Sequence, residues 1–265
     1  MKAELPPLEA ELRRHDRERF LTALFAPAGA REALMALYGF NLEVARVRES
    51  VREPMLGQIR LQWWREGIEE AYLGTARQRH ELLSILGPTI KSQGLSRSHF
   101  DRLIDARELD LAPEPPADMA ALEAYCRDTA ASLVWLALEI LDAATPPARK
   151  AGEHIGIAYA LTGLVRAIPF QARAGKVFLS KDQEHPAPEY LAEIAALAER
   201  HLAEARALRR EVPSAALPAL LQAGIAAHHL KRLRHSGYDA FDRRMLAPDG
   251  MLAGRLGLAA LMRRY

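Results

Sequence analysis

Helical spacing of the apolar residues is the feature that most limits the folds open to this chain. Leu, Ala, Arg and Glu fill most windows of the sequence, and the alternating runs typical of strands are scarce. Proline and glycine cluster at a few places, among them 27–29, 113–116, 185–188 and 248–250. They divide the chain into segments of about ten to twenty residues, the usual length of helices. The pattern predicts a single all-α domain over residues 1–265.

Composition narrows the classes of protein further. The chain has 265 residues, of which 49% are hydrophobic and 26% charged, with a net charge of +2. The single cysteine, Cys126, excludes an internal disulfide and a zinc site built on cysteines, and it fits a reducing compartment. The first residues form neither a secretory signal nor a basic transit peptide, and no uninterrupted apolar run reaches the ~18 residues of a membrane span. We therefore expect a cytoplasmic protein, and no motif indicates a nucleic-acid partner.

Basic residues are concentrated near the C-terminus. From residue 231 onward the sequence holds eight Lys or Arg against three Asp. Such a region can contact an anionic membrane or an acidic partner, which would place the protein peripherally at the inner membrane. A solvated basic face is the open alternative.

Two motifs and their spacing resemble the squalene/phytoene synthase family. Tyr38 and Phe40 match a Tyr-x-Phe element, and Leu61 followed by Trp64 and Arg65 matches a Trp-Arg signature. The likeness covers about residues 15–244 and implies an isoprenoid-synthase-like helical bundle with a central cavity. It also implies Mg²⁺ held by aspartates of two motifs, on two helices predicted over about residues 29–50 and 147–170.

The aspartates of both motifs are missing here. The first motif reads Ala45, Arg46 and Glu49, and the two positions of the second read Ala167 and Gln171. On a helix, Ala45 would share a face with Asn41 and Glu49. Magnesium needs hard oxygen ligands and neutralising charge, which one remaining carboxylate beside two arginines does not supply. We therefore predict no catalytic residue, no metal and no cofactor, with loss of the ancestral reaction.

The flanks of the first motif resemble a branch of the family without synthase activity. The run from Asn41 to Glu49, followed by Glu53-Pro54 and Gly57, matches this branch, which includes a mitochondrial factor for assembly of respiratory complex I. The resemblance implies a role in assembly or stability of a membrane complex, with complex I subunits or assembly intermediates as partners. Two alternatives stay open. One is a prenyl transferase that condenses isoprenoid diphosphates head to head with Mg²⁺ at an altered site, and the other is an isoprenoid- or lipid-binding protein.

The candidate pocket is predicted from residues near the former motifs, which are Asn41, Glu43, Arg60, Trp64, Arg65, Tyr125 and Arg166. We expect Glu43, Arg46 and Arg166 to form a buried ion network in place of the metal cluster. Trp63, Trp64 and the flanking arginines could line a cavity for an isoprenoid or lipid tail, with helix packing as the alternative. Adjacent helical residues point about 100° apart, so His228 and His229 predict a structural or surface role rather than a metal pair.

Overall fold

The computed structural model describes residues 6–51, 53–75, 80–112, 114–175, 177–179 and 186–265. Within these ranges every regular element is helical, which confirms the predicted all-α class. The α-helices are α1 Pro7–His15, α2 Arg17–Ala23, α3 Ala28–Ala45, α4 Val47–Ser50, α5 Pro54–Leu73, α6 Glu81–Gln93, α7 Arg97–Ala106, α8 Met119–Cys126, α9 Ser132–Ile140, α10 Pro146–Arg173, α11 Pro188–Ala207, α12 Leu217–Leu220, α13 Gln222–His235, α14 Arg243–Leu246 and α15 Leu252–Leu261. Two 3₁₀ segments cover Arg107–Leu111 and Ser214–Ala216, and a π-helical segment covers Arg127–Ala131.

The helix boundaries follow local chemistry. The Thr145 side chain accepts a hydrogen bond from the Ala148 amide at the start of α10, and Pro146 occupies the first turn, where its missing N–H is not needed. At the C-terminus of α5, Gly74 adopts φ 72°, a left-handed conformation that suits glycine at the end of a helix. Such capping residues, prolines and glycines mark helix ends in the sequence as well as in the structure.

One predicted helix is interrupted. The helix expected over about residues 29–50 ends at Ala45, and a separate turn of helix, α4, follows Arg46. The four-residue spacing therefore does not continue from Ala45 to Glu49. The second helix is longer than predicted, because α10 continues past Phe170 to Arg173.

Helix α10 lies at the centre of the bundle. It packs against α8, α9, α11, α13 and the π-helical segment. Gly156 allows a close approach of α10 to the π-helical segment, since a Cβ atom at that position would lie 2.6 Å from the Ala131 Cα atom and 2.7 Å from the Ala131 nitrogen. By length and composition α10 is the one helix in the described ranges that could cross a membrane, but 56% of its apolar window is buried inside the bundle. Burial of that kind is the mark of a core helix.

Candidate functional site

A central cavity of about 560 Å³ opens between the two motif helices. Its wall is formed by the junction of α1 and α2, one face of α3, Arg107 of the first 3₁₀ segment, the end of α8 with the π-helical segment after it, one face of α10, α13 and the stretch from α14 to α15. Asn41 and Ala45 lie in the wall on α3, and Gly163 and Arg166 lie in it on α10. The cavity therefore lies between α3 and α10, the two helices that carry the motifs, although Ala167 and Gln171 are not among its lining residues.

Glu18 is the centre of the polar network in this wall. Its Oε1 atom accepts hydrogen bonds from Arg166 Nη1 and from His229 Nε2, each at 2.8 Å, and its Oε2 atom accepts one from the Tyr159 hydroxyl at 2.7 Å. Burial alone would raise the pKa of this carboxyl, but the hydrogen bond from His229 and the charge of Arg166 lower the pKa to about 2. Burial also lowers the pKa of His229, so a neutral imidazole donates to an ionised carboxylate.

A second ion pair begins α2. The Asp16 carboxylate accepts a hydrogen bond from the Arg19 amide and pairs with Arg19 Nη1 at 2.9 Å. Both side chains are nearly buried, with 10% and 12% of their surface exposed. The Arg19 guanidinium also stacks over the Tyr159 ring at 4.7 Å from its centroid, so this arginine is held by a carboxylate and an aromatic face together.

A third group of polar side chains lies next to the π-helical segment. Arg107 Nη1 donates to the Tyr125 hydroxyl at 2.8 Å, and that hydroxyl donates to Asp110 Oδ1 at 2.7 Å. Burial raises the pKa of Tyr125 well above its ordinary value, so the phenol stays protonated and can donate. Tyr125 thus lines the central cavity as the middle member of a fixed chain of hydrogen bonds.

The residues of this site do not fit Mg²⁺. Within the described ranges no group of three or more His, Cys, Asp or Glu side chains is placed to hold a metal ion. The cavity carboxylates Asp16, Glu18 and Asp249 each face a cation of the protein itself, since Asp249 pairs with Arg255. A divalent ion would have to displace an arginine from a carboxylate and then sit beside it, at a cost of roughly 8 kcal/mol for charges of +2 and +1 at 4 Å and an effective dielectric of 20.

The first motif is only partly at the cavity. Asn41 and Ala45 line it, whereas Arg46 turns to α1 and pairs with Glu11 at 2.9 Å. Glu49 is exposed, because the helix has ended before it. The predicted network of Glu43, Arg46 and Arg166 is therefore wrong, since Arg166 takes Glu18 as its partner instead.

Three of the predicted pocket residues form a different, smaller pocket of about 220 Å³. Glu43, Arg60 and Trp64 line it together with Val47, Trp63 and His80. Trp64 is almost fully buried and makes edge contacts with Phe40 and Trp63 at 5.4 and 5.0 Å between ring centroids. Trp64, predicted as a residue of the candidate pocket, does not line the central cavity, because α5 packs mainly against α6 and the Trp64 ring meets α3 at Phe40.

The remaining predicted residues have partners elsewhere. Arg65 pairs with Asp105 at 2.6 Å and with Glu108 at 2.8 Å, so it ties α5 to α7 and the 3₁₀ segment. Ala167 is half-buried and does not line the cavity. Gln171 Oε1 accepts a hydrogen bond from the Phe178 amide at 3.0 Å, which fastens residues 177–179 to the end of α10.

Two central residues were missed by reasoning from the sequence. Glu18 lies outside both family motifs, and His229 was assigned a structural or surface role. His229 is indeed buried, with 3% of its surface exposed, but it lines the cavity and bonds to Glu18 from 211 positions away. A sequence signal for Glu18 exists in hindsight, because it is an acid between Arg17 and Arg19, two residues before Phe20.

Comparison with known proteins identifies relatives over nearly the whole chain. The profile of the family described as squalene/phytoene synthase matches residues 12–250. The chain is 31% identical over 271 residues to NADH dehydrogenase (ubiquinone) complex I, assembly factor 6, of Mus musculus, covering 96% of this chain and 81% of that one. The factor of the same name from Homo sapiens is 32% identical over 87% of this chain and 74% of its own. A crystal structure of a squalene synthase from Alicyclobacillus acidocaldarius shares the fold, with a TM-score of 0.76 at 20% identity over 88% of this chain and 94% of that one.

Proposed function

Since this chain belongs to the squalene/phytoene synthase family, we propose that it is a member without synthase activity that acts in the assembly of respiratory complex I. The observation that carries the proposal is the pairing of the cavity carboxylates. Asp16, Glu18 and Asp249 are paired with Arg19, Arg166 and Arg255, so among the described residues no carboxylate of the central cavity is left to bridge a metal ion and a diphosphate.

The names of the relatives also support the proposal. The proteins from Mus musculus and Homo sapiens carry the name complex I assembly factor 6, and their similarity extends over most of both chains. This chain has the cavity of the family fold but not its metal ligands. That combination suits a protein that binds or scaffolds a partner better than one that ionises an allylic diphosphate. The partners we propose are complex I subunits or assembly intermediates.

Cells that lack this chain are expected to contain less fully assembled complex I. Membranes from such cells should lose most NADH:quinone oxidoreductase activity, while succinate oxidation by complex II is expected to stay unchanged, because the proposed role concerns complex I alone. Native gel electrophoresis of the membranes measures the assembled complex directly, and expression of the wild-type chain should restore it. Normal assembly in the deletion strain would contradict the proposal. Mg²⁺-dependent release of diphosphate from farnesyl or geranylgeranyl diphosphate by the purified chain would contradict the absence of synthase activity.

A second candidate function is binding of an isoprenoid or lipid. The observation in its favour is the cavity itself, which keeps about 560 Å³ although its metal ligands are gone. Its wall is mixed, with apolar side chains such as Leu164, Phe170 and Leu252 facing the same space as the arginines. A volume of this size is within the range of ligand pockets in proteins.

We also propose a cytoplasmic location with peripheral contact at the inner membrane. Helix α15 leaves Leu258 and Leu261 exposed, at 58% and 82% of their surface, and Arg263 and Arg264 follow after Met262. Exposed apolar side chains beside arginines are the combination that binds an anionic bilayer surface, because the leucines enter the interface while the arginines meet the lipid headgroups.

Replacing Leu258 and Leu261 with serine is expected to weaken binding to vesicles of phosphatidylglycerol and phosphatidylcholine by about tenfold or more, since each buried leucine contributes on the order of 1.5 kcal/mol. Vesicle flotation measures the bound fraction. Leu73→Ser is the control, because the exposure of Leu73, 66%, lies between those of Leu258 and Leu261, but Leu73 is at the end of α5. Equal loss of binding in both variants, or none in either, would remove the proposed contact.

A further inference from the structure

The first turns of α5 leave a row of large apolar side chains uncovered. Met55, Leu56 and Ile59 are exposed at 68%, 49% and 59% of their surface. Met55, Ile59 and Trp63 follow one another at intervals of four residues, so they lie along one face of the helix. Single exposed apolar residues are ordinary, whereas neighbouring ones on one face mark an interaction site. The row ends at Trp63, which lines the pocket of about 220 Å³.

Three aromatic rings in that pocket are inclined to one another. Trp63 and Trp64 lie 5.0 Å apart between centroids with their planes at 85°. The His80 ring lies 6.2 Å from Trp63 at 76° and 5.1 Å from Trp64 at 58°. His80 Nδ1 accepts a hydrogen bond from the Leu82 amide at 3.2 Å, so that nitrogen carries no hydrogen and the ring is neutral. Rings arranged in this way resemble the aromatic cages that bind organic cations.

Glu43 adds a carboxylate to the same pocket. Its side chain is half-buried, and within the described ranges no hydrogen bond or ion pair reaches it. Arg60 also lines the pocket, but its Nη1 donates to the Ser50 hydroxyl at 2.6 Å, which ties the guanidinium to the end of α4 and leaves the carboxylate free. A half-buried carboxylate without a partner, beside aromatic rings, favours a positively charged group.

The size of the pocket indicates one side chain rather than a whole small molecule. Its volume of about 220 Å³ lies below the roughly 300–1,000 Å³ of ordinary ligand pockets. A lysine or arginine fits such a site, because its aliphatic stem packs on the rings while its charged end meets Glu43. A side chain of this kind belongs to a polypeptide, and the exposed row on α5 is placed to receive the residues next to it.

We propose that Met55, Leu56, Ile59 and this pocket form one docking surface, the α5 surface, for a segment of a partner protein. The segment carries a lysine or arginine that enters the pocket beside Glu43, and apolar side chains that cover the row on α5. Burial of the apolar row supplies affinity, and the charge of Glu43 selects a basic segment. The inference rests on the proposed role in complex I assembly, because that role supplies a protein as the partner.

Nuclear magnetic resonance of the purified full chain tests the pocket. The chain has three tryptophans, at positions 63, 64 and 135, and therefore three indole N–H signals. We expect Nα-acetyl-lysine methylamide to shift the signals of Trp63 and Trp64. The Trp135 signal serves as the internal reference, because its Nε1 donates to the Arg149 carbonyl on another face of the bundle. Nα-acetyl-norleucine methylamide, which lacks the charge, should bind at least about fivefold more weakly.

Glu43→Gln separates the carboxylate from the rings. This variant should weaken binding of the lysine probe about fivefold, a loss that corresponds to roughly 1 kcal/mol. Glu49→Gln is the matched control, because it makes the same change at an exposed acid that does not line the pocket, and its affinity should stay within about twofold of the wild type. Circular dichroism and the thermal midpoint establish that each variant is folded.

The deletion strain tests the apolar row. Expression of Ile59→Ser or of Glu43→Gln is expected to restore at most about half of the complex I that the wild-type chain restores, since residues at the centre of an interface carry most of its binding energy. Leu73→Ser is the control, because Leu73 lies on the same helix at 66% exposure but at its far end, and it should restore assembly fully. Native gel electrophoresis measures the assembled complex.

Several outcomes would overturn the docking surface. They are unchanged indole signals of Trp63 and Trp64, equal binding of the lysine and norleucine probes, and full restoration by both variants. Sedimentation supplies another, because a dimer that Ile59→Ser dissociates would assign the α5 surface to a second copy of this chain. Normal assembly in the deletion strain contradicts the proposed function instead, while the titration still decides whether the pocket takes a basic side chain.

Discussion

Gly156→Ala is expected to lower the free energy of unfolding by about 1–2 kcal/mol. The new methyl group would lie 2.6–2.7 Å from backbone atoms of Ala131, and 2.9 Å from the Ala130 carbonyl carbon. Backbone cannot move aside as the end of a flexible side chain can, so α10 and the π-helical segment must separate, and overpacking of this kind costs about 1–3 kcal/mol or more. That cost exceeds the gain of roughly 0.5–1 kcal/mol from replacing a helical glycine with alanine.

Gly163→Ala is the matched control seven residues along the same helix. No atom lies within 4 Å of a Cβ at this position, because Gly163 faces the central cavity. Only the gain in helix propensity remains, so this variant should be more stable than the wild type by about 0.5–1 kcal/mol. Urea unfolding of the three proteins measures the differences. Equal effects of the two substitutions would contradict the close packing of α10 on the π-helical segment.

Glu18→Gln is expected to destabilise the protein by about 3 kcal/mol at pH 7. The folded-state pKa of Glu18 is about 2, against 4.5 for the unconstrained side chain, and a difference of this size corresponds to about 3 kcal/mol of stabilisation by the ionised form. The side chain is 14% exposed, so solvent screens this interaction little. Glutamine keeps the shape but cannot attract Arg166.

The pH dependence of the free energy of unfolding tests the role of Glu18 more sharply than a single measurement at pH 7. Between pH 4.5 and 2 the unfolded chain binds a proton at Glu18 that the folded chain does not bind, so the contribution of Glu18 is complete above about pH 4.5 and declines as the pH falls. Each pH unit below 4.5 should remove about 1.4 kcal/mol from the wild type and nothing from Glu18→Gln through this group. Denaturant unfolding at pH 7, 4.5 and 3.5 should therefore show the two stabilities converging. A constant difference across this range would exclude the depressed pKa.

The part of the site that the sequence predicted is the part fixed by helix geometry. Asn41 and Ala45 on α3, and Arg166 on α10, line one cavity because the helical period places them on inward faces. The part that failed depended on a continuous helix or on a partner far along the chain. Glu49 lies outside the cavity because α3 ends at Ala45. Arg46 pairs with Glu11 on α1, 35 positions away, rather than with a residue of its own motif.

Trp64 illustrates the same limit from the apolar side. Its conspicuous place in the Trp-Arg signature suggested a ligand surface, yet its ring is buried between Phe40, Trp63 and His80 and does not line the central cavity. A buried aromatic residue at a helix interface has the same spacing in the sequence as one in a cavity wall. Only the packing of α5 distinguishes the two.

The sequence alone determined that this protein is helical and that its motif helices lack the carboxylates of a metal site. Periodicity, helix punctuation and side-chain chemistry are local properties, so Ala45, Ala167 and Gln171 could be interpreted without coordinates. Only the tertiary structure shows which polar groups face one another in the cavity between the motif helices. Glu18, Arg166 and His229 come from three helices and meet within 2.8 Å, and hydrogen bonds at that range depend on how the helices pack rather than on any spacing along the chain.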